Sequence, residues 1–467
     1  MQKLIISFFL LLSLGASATV KLPAVIASNM VLQQRSQAAL WGTAAANARV
    51  TVTTSWNKKL YTVKAGADGA WKVKVQTPAA GGPYDITISD GKPLTLHNIL
   101  IGEVWFCSGQ SNMEMPVKGF KNQTILHAAD ILMDADNPQI RLFNVPKKIS
   151  RVPLSDCNTT WQVSDAASAA DFSAVGYQFA QMLQQKLKVP VGIIEATWGG
   201  TVIEAWMHAQ ALQPFTNEIK IPAVTDTLNL KPNDPTNLYN GMVSPIMGYT
   251  INGALWYQGE SNRGRAAQYR QLMSAMVKSW RTAWDCGEWG FYYVQIAPFV
   301  YKGDKGETFL LREAQLKALD DIPNSGMAVS MDVGDETNIH PADKTIIAKR
   351  LLYNALAKTY GYKNIPYATP VYKSMKVATD TVQLFFNNAP NGLTTFSFNK
   401  PLSDFEVAGA DKVYHPATAW ITGYGIAVKS EEVKTPVAVR YAYKDWLVGT
   451  LFSNEGLPVS SFRTDEW

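Results

Sequence analysis

The chain has 467 residues, 47% of them hydrophobic and 11% aromatic, which is enough to bury two or three cores. Its formal charge of +5 is carried without a basic block or a basic-aromatic stripe, which speaks against nucleic-acid binding. Five scattered histidines with no HExxH, no CxxC and no run of spaced carboxylates give no support to a metal centre, and no GxGxxG or P-loop follows a strand, so no cofactor is expected.

The first stretch, MQKLIISFFLLLSLGASATV, reads as a secretory signal peptide over residues 1–18. Lys3 supplies a positive start, Leu4 to Leu14 an apolar core, and Ala16-Ser17-Ala18 a small-x-small cleavage site. A secreted or periplasmic location is therefore expected. No later run sustains ~20 apolar residues, so no membrane span is expected after the leader is removed. An exported chain can form disulfides. Three cysteines allow one bridge at most: Cys157–Cys286 is possible, while Cys107 sits in an apolar run and reads as a buried thiol.

Residues 19–96 alternate in short runs, ARVTVTTSW (48–56) and AWKVKVQTP (70–78), separated by AGADG and PAAGGP turn clusters. This predicts a β-rich, sandwich-like N-terminal domain. The tail, 364–467, is similar, with TVQLFF, YGIAVKS and VAVRYAY as strands.

The middle, 97–363, differs. Apolar runs at 103–107, 189–196, 251–257, 289–297 and 326–332 alternate with helical patterns at 174–187, 264–283, 307–320 and 342–359. Such alternation predicts an α/β core with a parallel sheet covered on both faces. Ligands of such sheets bind beyond the carboxyl ends of the strands. Four strand ends carry polar loops: WFCSGQSNMEM (105–115), Thr197-Trp198-Gly199-Gly200-Thr201, QGESN (258–262), and Gly334 to Pro341 with His340.

An isolated serine after a strand is ordinarily a turn or cap residue. Here a histidine, a glycine pair and amide side chains are expected on the same edge, which suits acyl transfer. Ser111 needs a base, and His340 can take its proton and return it to a leaving alcohol. The developing oxyanion needs donors: the Ser111 amide, Gly199 or Gly200, and the side chain of Gln258 or Asn262. The G-x-S-x-G elbow of α/β-hydrolases is absent, because Met113 occupies its second glycine position. Gln110, Trp198 and Glu260 are candidate substrate contacts, although Glu260 reads first as an ion-paired or buried hydrogen-bonding group that holds its loop.

GQSNM, the segment WGGTVIEAW (198–206), WYQGESN (256–262) and Asp332 to Pro341 resemble the sialate O-acetylesterase family, a branch of the SGNH hydrolases. SNMVLQQ (28–34), AGGPYDITI (80–88) and GLPVSSFRTDEW (456–467) extend the resemblance into both flanks. It implies an SGNH-hydrolase, flavodoxin-like three-layer core with Ser111 as nucleophile, His340 as base, and the glycine and QGESN segments at the oxyanion hole. One position departs from the wider pattern: Thr337 stands where SGNH enzymes carry an aspartate three residues before the histidine. Asp335, Asp332 or a backbone carbonyl is left to orient His340, with Asp335 ranked first because it lies in the same loop.

The resemblance implies a carbohydrate O-acetylesterase acting through an acetyl-enzyme on O-acetylated sialic acid. Acetylated xylan or xyloglucan is the alternative substrate. A carbohydrate-binding protein with a degenerate esterase core is the alternative of another class.

Overall fold

The computed structural model describes residues 20–395, 401–423 and 425–467, so the signal-peptide reading of 1–18 lies outside the described residues. Its central element is one long strand, Pro93–Gly109, buried at every residue from Ile99 to Gly109. The early part of this strand pairs antiparallel with Gly81–Ser89 and parallel with Val31–Gln33 of the N-terminal β region. Its second half, from Glu103, lies between Val191–Thr197 and Gly253–Tyr257, parallel to both. A strand covered on both faces has no polar face, so the apolar run shows no alternation.

From one edge, the core sheet runs Ser325–Ala328, Gly290–Val294, Gly253–Tyr257, Pro93–Gly109, Val191–Thr197, Asn137–Asn144 and Gln162–Ser164. The first six are parallel to their neighbours; Gln162–Ser164 joins antiparallel and makes the sheet mixed. After Pro93–Gly109 the chain completes one side of the sheet, inserting Val191–Thr197 last beside the central strand, and then builds the other side outward. The end of that strand is therefore a topological switch point, where crevices open in such sheets.

The two faces of the strand feed different cores. Trp105 and Cys107 pack with residues of the helices Ala174–Leu187 and Lys344–Asn354, Trp105 meeting Phe179 at 4.8 Å. Val104 and Phe106 face the helix Ala266–Trp284, with Phe106 5.6 Å from Trp280 and 5.2 Å from Trp284. Helix starts follow capping chemistry: Ser173 accepts from Gly176 N at 3.1 Å, and Asp343 from Ile346 N at 3.1 Å.

The predicted helix 174–187 matches Ala174–Leu187, and 307–320 matches Glu307–Asp321 to one residue. The 342–359 pattern divides into Lys344–Asn354 and a wider turn, Ala355–Thr359. The strand Asn137–Asn144 was not expected; its polar first half hides the buried run from Ile140 to Phe143. Near the C-terminus, seven strands from Val371–Ala378 to Phe462–Arg463 form an antiparallel sheet. All three cysteines are free thiols, which corrects the possible Cys157–Cys286 bridge: the Cys286 sulfur is 3.8 Å from the Ile251 carbonyl oxygen, to which it donates.

Candidate active site

Ser111 opens the short helix Ser111–Glu114 directly after the central strand. Gly109 makes that junction possible. It has φ +141, and a Cβ there would fall 2.2 Å from the Tyr257 carbonyl oxygen. Backbone bonds then lace three strand ends together: Gln110 N–H donates to Tyr257 O at 3.0 Å and Trp198 N–H to Gly109 O at 3.1 Å. The Ser111 amide stands in the first turn, where N–H groups have no intrahelical acceptor.

Gly199 lies directly against the serine. A Cβ at 199 would be 3.2 Å from Ser111 Cβ. Its N–H is committed to Glu114 Oε2, and Glu114 Oε1 binds Lys147 Nζ at 2.7 Å. Gly200, at φ +72, has open space where a Cβ would stand; its carbonyl accepts from Asn233 Nδ2 at 3.0 Å.

The QGESN loop is turned inward, and this corrects the expected oxyanion side chain. Gln258 Nε2 donates to Thr201 O at 3.0 Å and to Asn262 Oδ1 at 2.7 Å. Asn262 Nδ2 donates to Glu204 Oε2 at 3.0 Å, while its Oδ1 also accepts from Ile203 N at 3.0 Å. Both side chains are buried and brace the 201–204 segment, so their donors are not presented to a reacting carbonyl. Gln110 and Glu260 are likewise bracing groups. Gln110 Oε1 accepts from Gly259 N and Ser261 N at 3.3 and 3.4 Å, and Glu260 Oε1 accepts from Asn112 Nδ2 at 2.7 Å. Burial raises the Glu260 carboxyl above its ordinary range.

His340 reaches the same edge through its neighbours. Asn112 Nδ2 also donates to Ile339 O at 3.1 Å, so the residue after Ser111 holds the residue before His340. The imidazole Nδ1 is 2.7 Å from Gln123 Oε1, and the Phe120 ring meets the imidazole edge-on at 5.3 Å. Burial, then the charge of Lys344, lowers His340 to about 4. Lys344 itself is buried, with Nζ 2.5 Å from Asn112 Oδ1 and 5.5 Å from the Tyr257 ring centre. Burial lowers it to about 7 against the opposing pull of Glu260.

Neither expected carboxylate binds the imidazole. Asp335 is exposed and accepts from Thr337 N and Asn338 N, both at 2.8 Å, and from Thr337 Oγ1 at 3.0 Å. These bonds hold its carboxyl below the usual range and close a local turn. Asp332 makes a two-point pair with Arg350, 2.7 Å at each oxygen. Asp335 is thus replaced at Nδ1 by Gln123, a residue with no sequence signal: it lies on an irregular segment far from His340 in the chain.

Beyond Glu114, at the far end of the serine's short helix, opens a cleft of about 940 Å³, lined by Phe120, Asn144, Lys147, Gln162 and Thr197 among others. Trp198 is partly exposed nearby, with Lys147 Nζ 5.4 Å above its ring. Glu195 forms part of the cleft wall, accepting from Ser173 N at 2.8 Å and Thr197 Oγ1 at 2.7 Å; burial pushes it up to about 8. Among the described residues no group of His, Cys, Asp and Glu has the arrangement of a metal site.

A family profile described as carbohydrate esterase, sialic acid-specific acetylesterase, matches residues 101–360. The sialate O-acetylesterase of Rattus norvegicus is 30% identical over 429 residues, 78% of each chain. That of Homo sapiens is 30% identical over 393 residues, 75% of this chain and 73% of its own. The crystal structure of a carbohydrate acetylesterase from Xanthomonas citri superposes with a TM-score of 0.87 at 37% identity, over 96% of this chain and 100% of that one. The profile spans the core and the structural likeness nearly the whole chain, and the chain belongs to the sialic acid-specific acetylesterase family of carbohydrate esterases and is an ester hydrolase.

Proposed function

We propose that the chain is a serine carbohydrate O-acetylesterase that removes acetyl groups from O-acetylated sialic acid. Ser111 Oγ attacks the acetyl carbonyl carbon while His340 Nε2 takes the hydroxyl proton. The carbonyl oxygen becomes the oxyanion, received by the Ser111 amide and by the Gly200 amide, the member of the glycine pair not committed to Glu114. Collapse breaks the bond to the sugar oxygen, which receives the proton from His340 and leaves as an alcohol. Water then attacks the acetyl-enzyme with His340 again as base, releasing acetate and restoring Ser111.

The observation that carries this reading is the Asn112–Ile339 bond, which joins the neighbours of nucleophile and base, with Nδ1 anchored and Nε2 left to work. Membership of the family supports the sialic acid. The alternative substrate is a neutral plant polysaccharide such as acetylated xylan or xyloglucan, on which the same acetyl-transfer steps would run. The composition of residues 1–18 supports export of the enzyme to the periplasm or medium, which cell fractionation tests.

Acetate release from 9-O-acetylated sialic acid, acetylated xylan and acetylated xyloglucan, with wild type and Ser111→Ala in parallel, tests the substrate. Preference for sialic acid upholds the reading. Preference for a plant glycan keeps the mechanism and replaces the substrate. Silence on all three overturns both.

A further inference from the structure

We propose that Gln123 takes the place of a triad carboxylate: its side-chain oxygen accepts the Nδ1–H of His340, fixes the ring and leaves Nε2 as the proton acceptor. This rests on the reading of His340 as base and adds the residue that positions it.

The turn carrying Gln123 is built to grip the ring. Gly119 has φ +79, and a Cβ there would meet the Gln123 carbonyl oxygen at 2.2 Å, so only glycine lets the turn close. Gln123 N–H donates to Phe120 O at 3.0 Å, and Leu126 N–H ties the following residues to Ala342 O at 3.0 Å, two residues beyond the histidine. One turn thereby supplies both the Phe120 edge contact, at 5.3 Å and 68°, and the Nδ1 acceptor at 2.7 Å. The histidine's own backbone is fixed independently: His340 N–H donates to Asn338 Oδ1 at 3.0 Å, and the Ile339 carbonyl accepts from Asn112.

A base acting through Nε2 must carry its proton on Nδ1, so the partner there must be an acceptor. A carboxylate would supply that acceptor and also stabilise the imidazolium; an amide oxygen supplies the first with little of the second. The charged groups around the ring agree with a neutral partner. Lys344, on the helix packed behind Asn112, presents a cation, and its neighbour Glu260 is bonded to Asn112. In the histidine's own loop Asp335 is engaged by Thr337 and Asn338, Asp332 is paired with Arg350, and Glu336 is exposed. Lys121, within the gripping turn, is exposed.

The test is ¹⁵N–¹H correlation NMR of the full chain, with the His340 signal assigned by its loss in His340→Ala, on wild type, Gln123→Glu, Gln123→Ala and Asp335→Asn. Acetyl-ester kinetics run alongside. In wild type the expected ring carries its proton on Nδ1 and titrates near 4. In Gln123→Glu the titration midpoint rises by more than about one pH unit, because an adjacent anion favours the charged ring, and the acid limb of kcat/KM rises with it. Gln123→Ala lowers kcat about tenfold or more with KM little changed and leaves a mixture of tautomers. Unchanged tautomer and midpoint in both Gln123 variants, or a shift in Asp335→Asn instead, overturns the assignment. The expected NMR behaviour without Ser111-dependent ester hydrolysis retires the esterase reading while upholding the Gln123–His340 contact.

Discussion

Two polar loops follow neighbouring regions of the same sheet and are put to opposite uses. The 258–262 loop is buried almost throughout, and its amide groups donate within the protein, Gln258 to Thr201 and Asn262, and Asn262 to Glu204. The 332–341 loop is half exposed: its Asp335 closes a surface turn and its His340 is gripped from outside by Gln123 and Phe120. Both are rich in the residue types that catalysis uses. Burial decides which of them remain available, because a buried polar group has to be satisfied by its surroundings. The sealed loop therefore frames the site, and the open loop presents chemistry to it.

The sharpest way to break this contrast is Asn262→Ala. It orphans Ile203 N and one Gln258 donor in a dry interior, at about 1–3 kcal/mol for each group. A fall of about 3–4 kcal/mol in unfolding free energy by urea titration, with lost turnover, is expected. A near-neutral result means that the loop is not the frame described.

Glu195 extends the same logic to the cleft wall. Its folded value of about 8 lies above the ordinary 4.5, so the folded chain keeps a proton that the unfolded chain releases between these values. Stability from this group is fully present below 4.5 and is lost as pH rises toward 8. Glu195→Gln is expected to flatten the dependence of urea midpoint on pH across that window; a slope equal to wild type contradicts it.

In the open loop the signature is functional. His340, lowered to about 4, is neutral and competent as a base down to that pH, so kcat/KM holds its plateau well below the ordinary histidine range and falls near 4. An acid limb near 6.5 contradicts the environment described. The smallest effect belongs to Asp335→Asn. An exposed turn residue of this kind is worth about 0.5 kcal/mol or less, and turnover stays close to wild type. A collapse of activity there restores Asp335 to the triad.

Much of this was legible beforehand, for identifiable reasons. The strand ends were visible because continuous apolar runs break abruptly into Gly-Gln-Ser-Asn, Trp-Gly-Gly-Thr and Gln-Gly-Glu-Ser. The helix Ala174–Leu187 was visible because its apolar period is clean. Direction was not visible: a motif names Gln258 and Asn262 but not that their amides face Thr201 and Glu204. Nor was Gln123, since nothing in a loop's composition tells which distant ring it will meet. Lys344 was hidden for a related reason. A lysine at a helix start reads as solvated, whereas here Asn112 and the Tyr257 ring receive it in the interior.

The central claim is that Ser111 performs the ester chemistry. Turnover of a small activated acetyl ester by wild type and Ser111→Ala, with both shown to be folded by their urea transitions, tests it most directly. The account predicts a loss on the order of 10⁴-fold in the variant. Activity within about tenfold of wild type, a far smaller loss than removal of a catalytic serine brings, would contradict it.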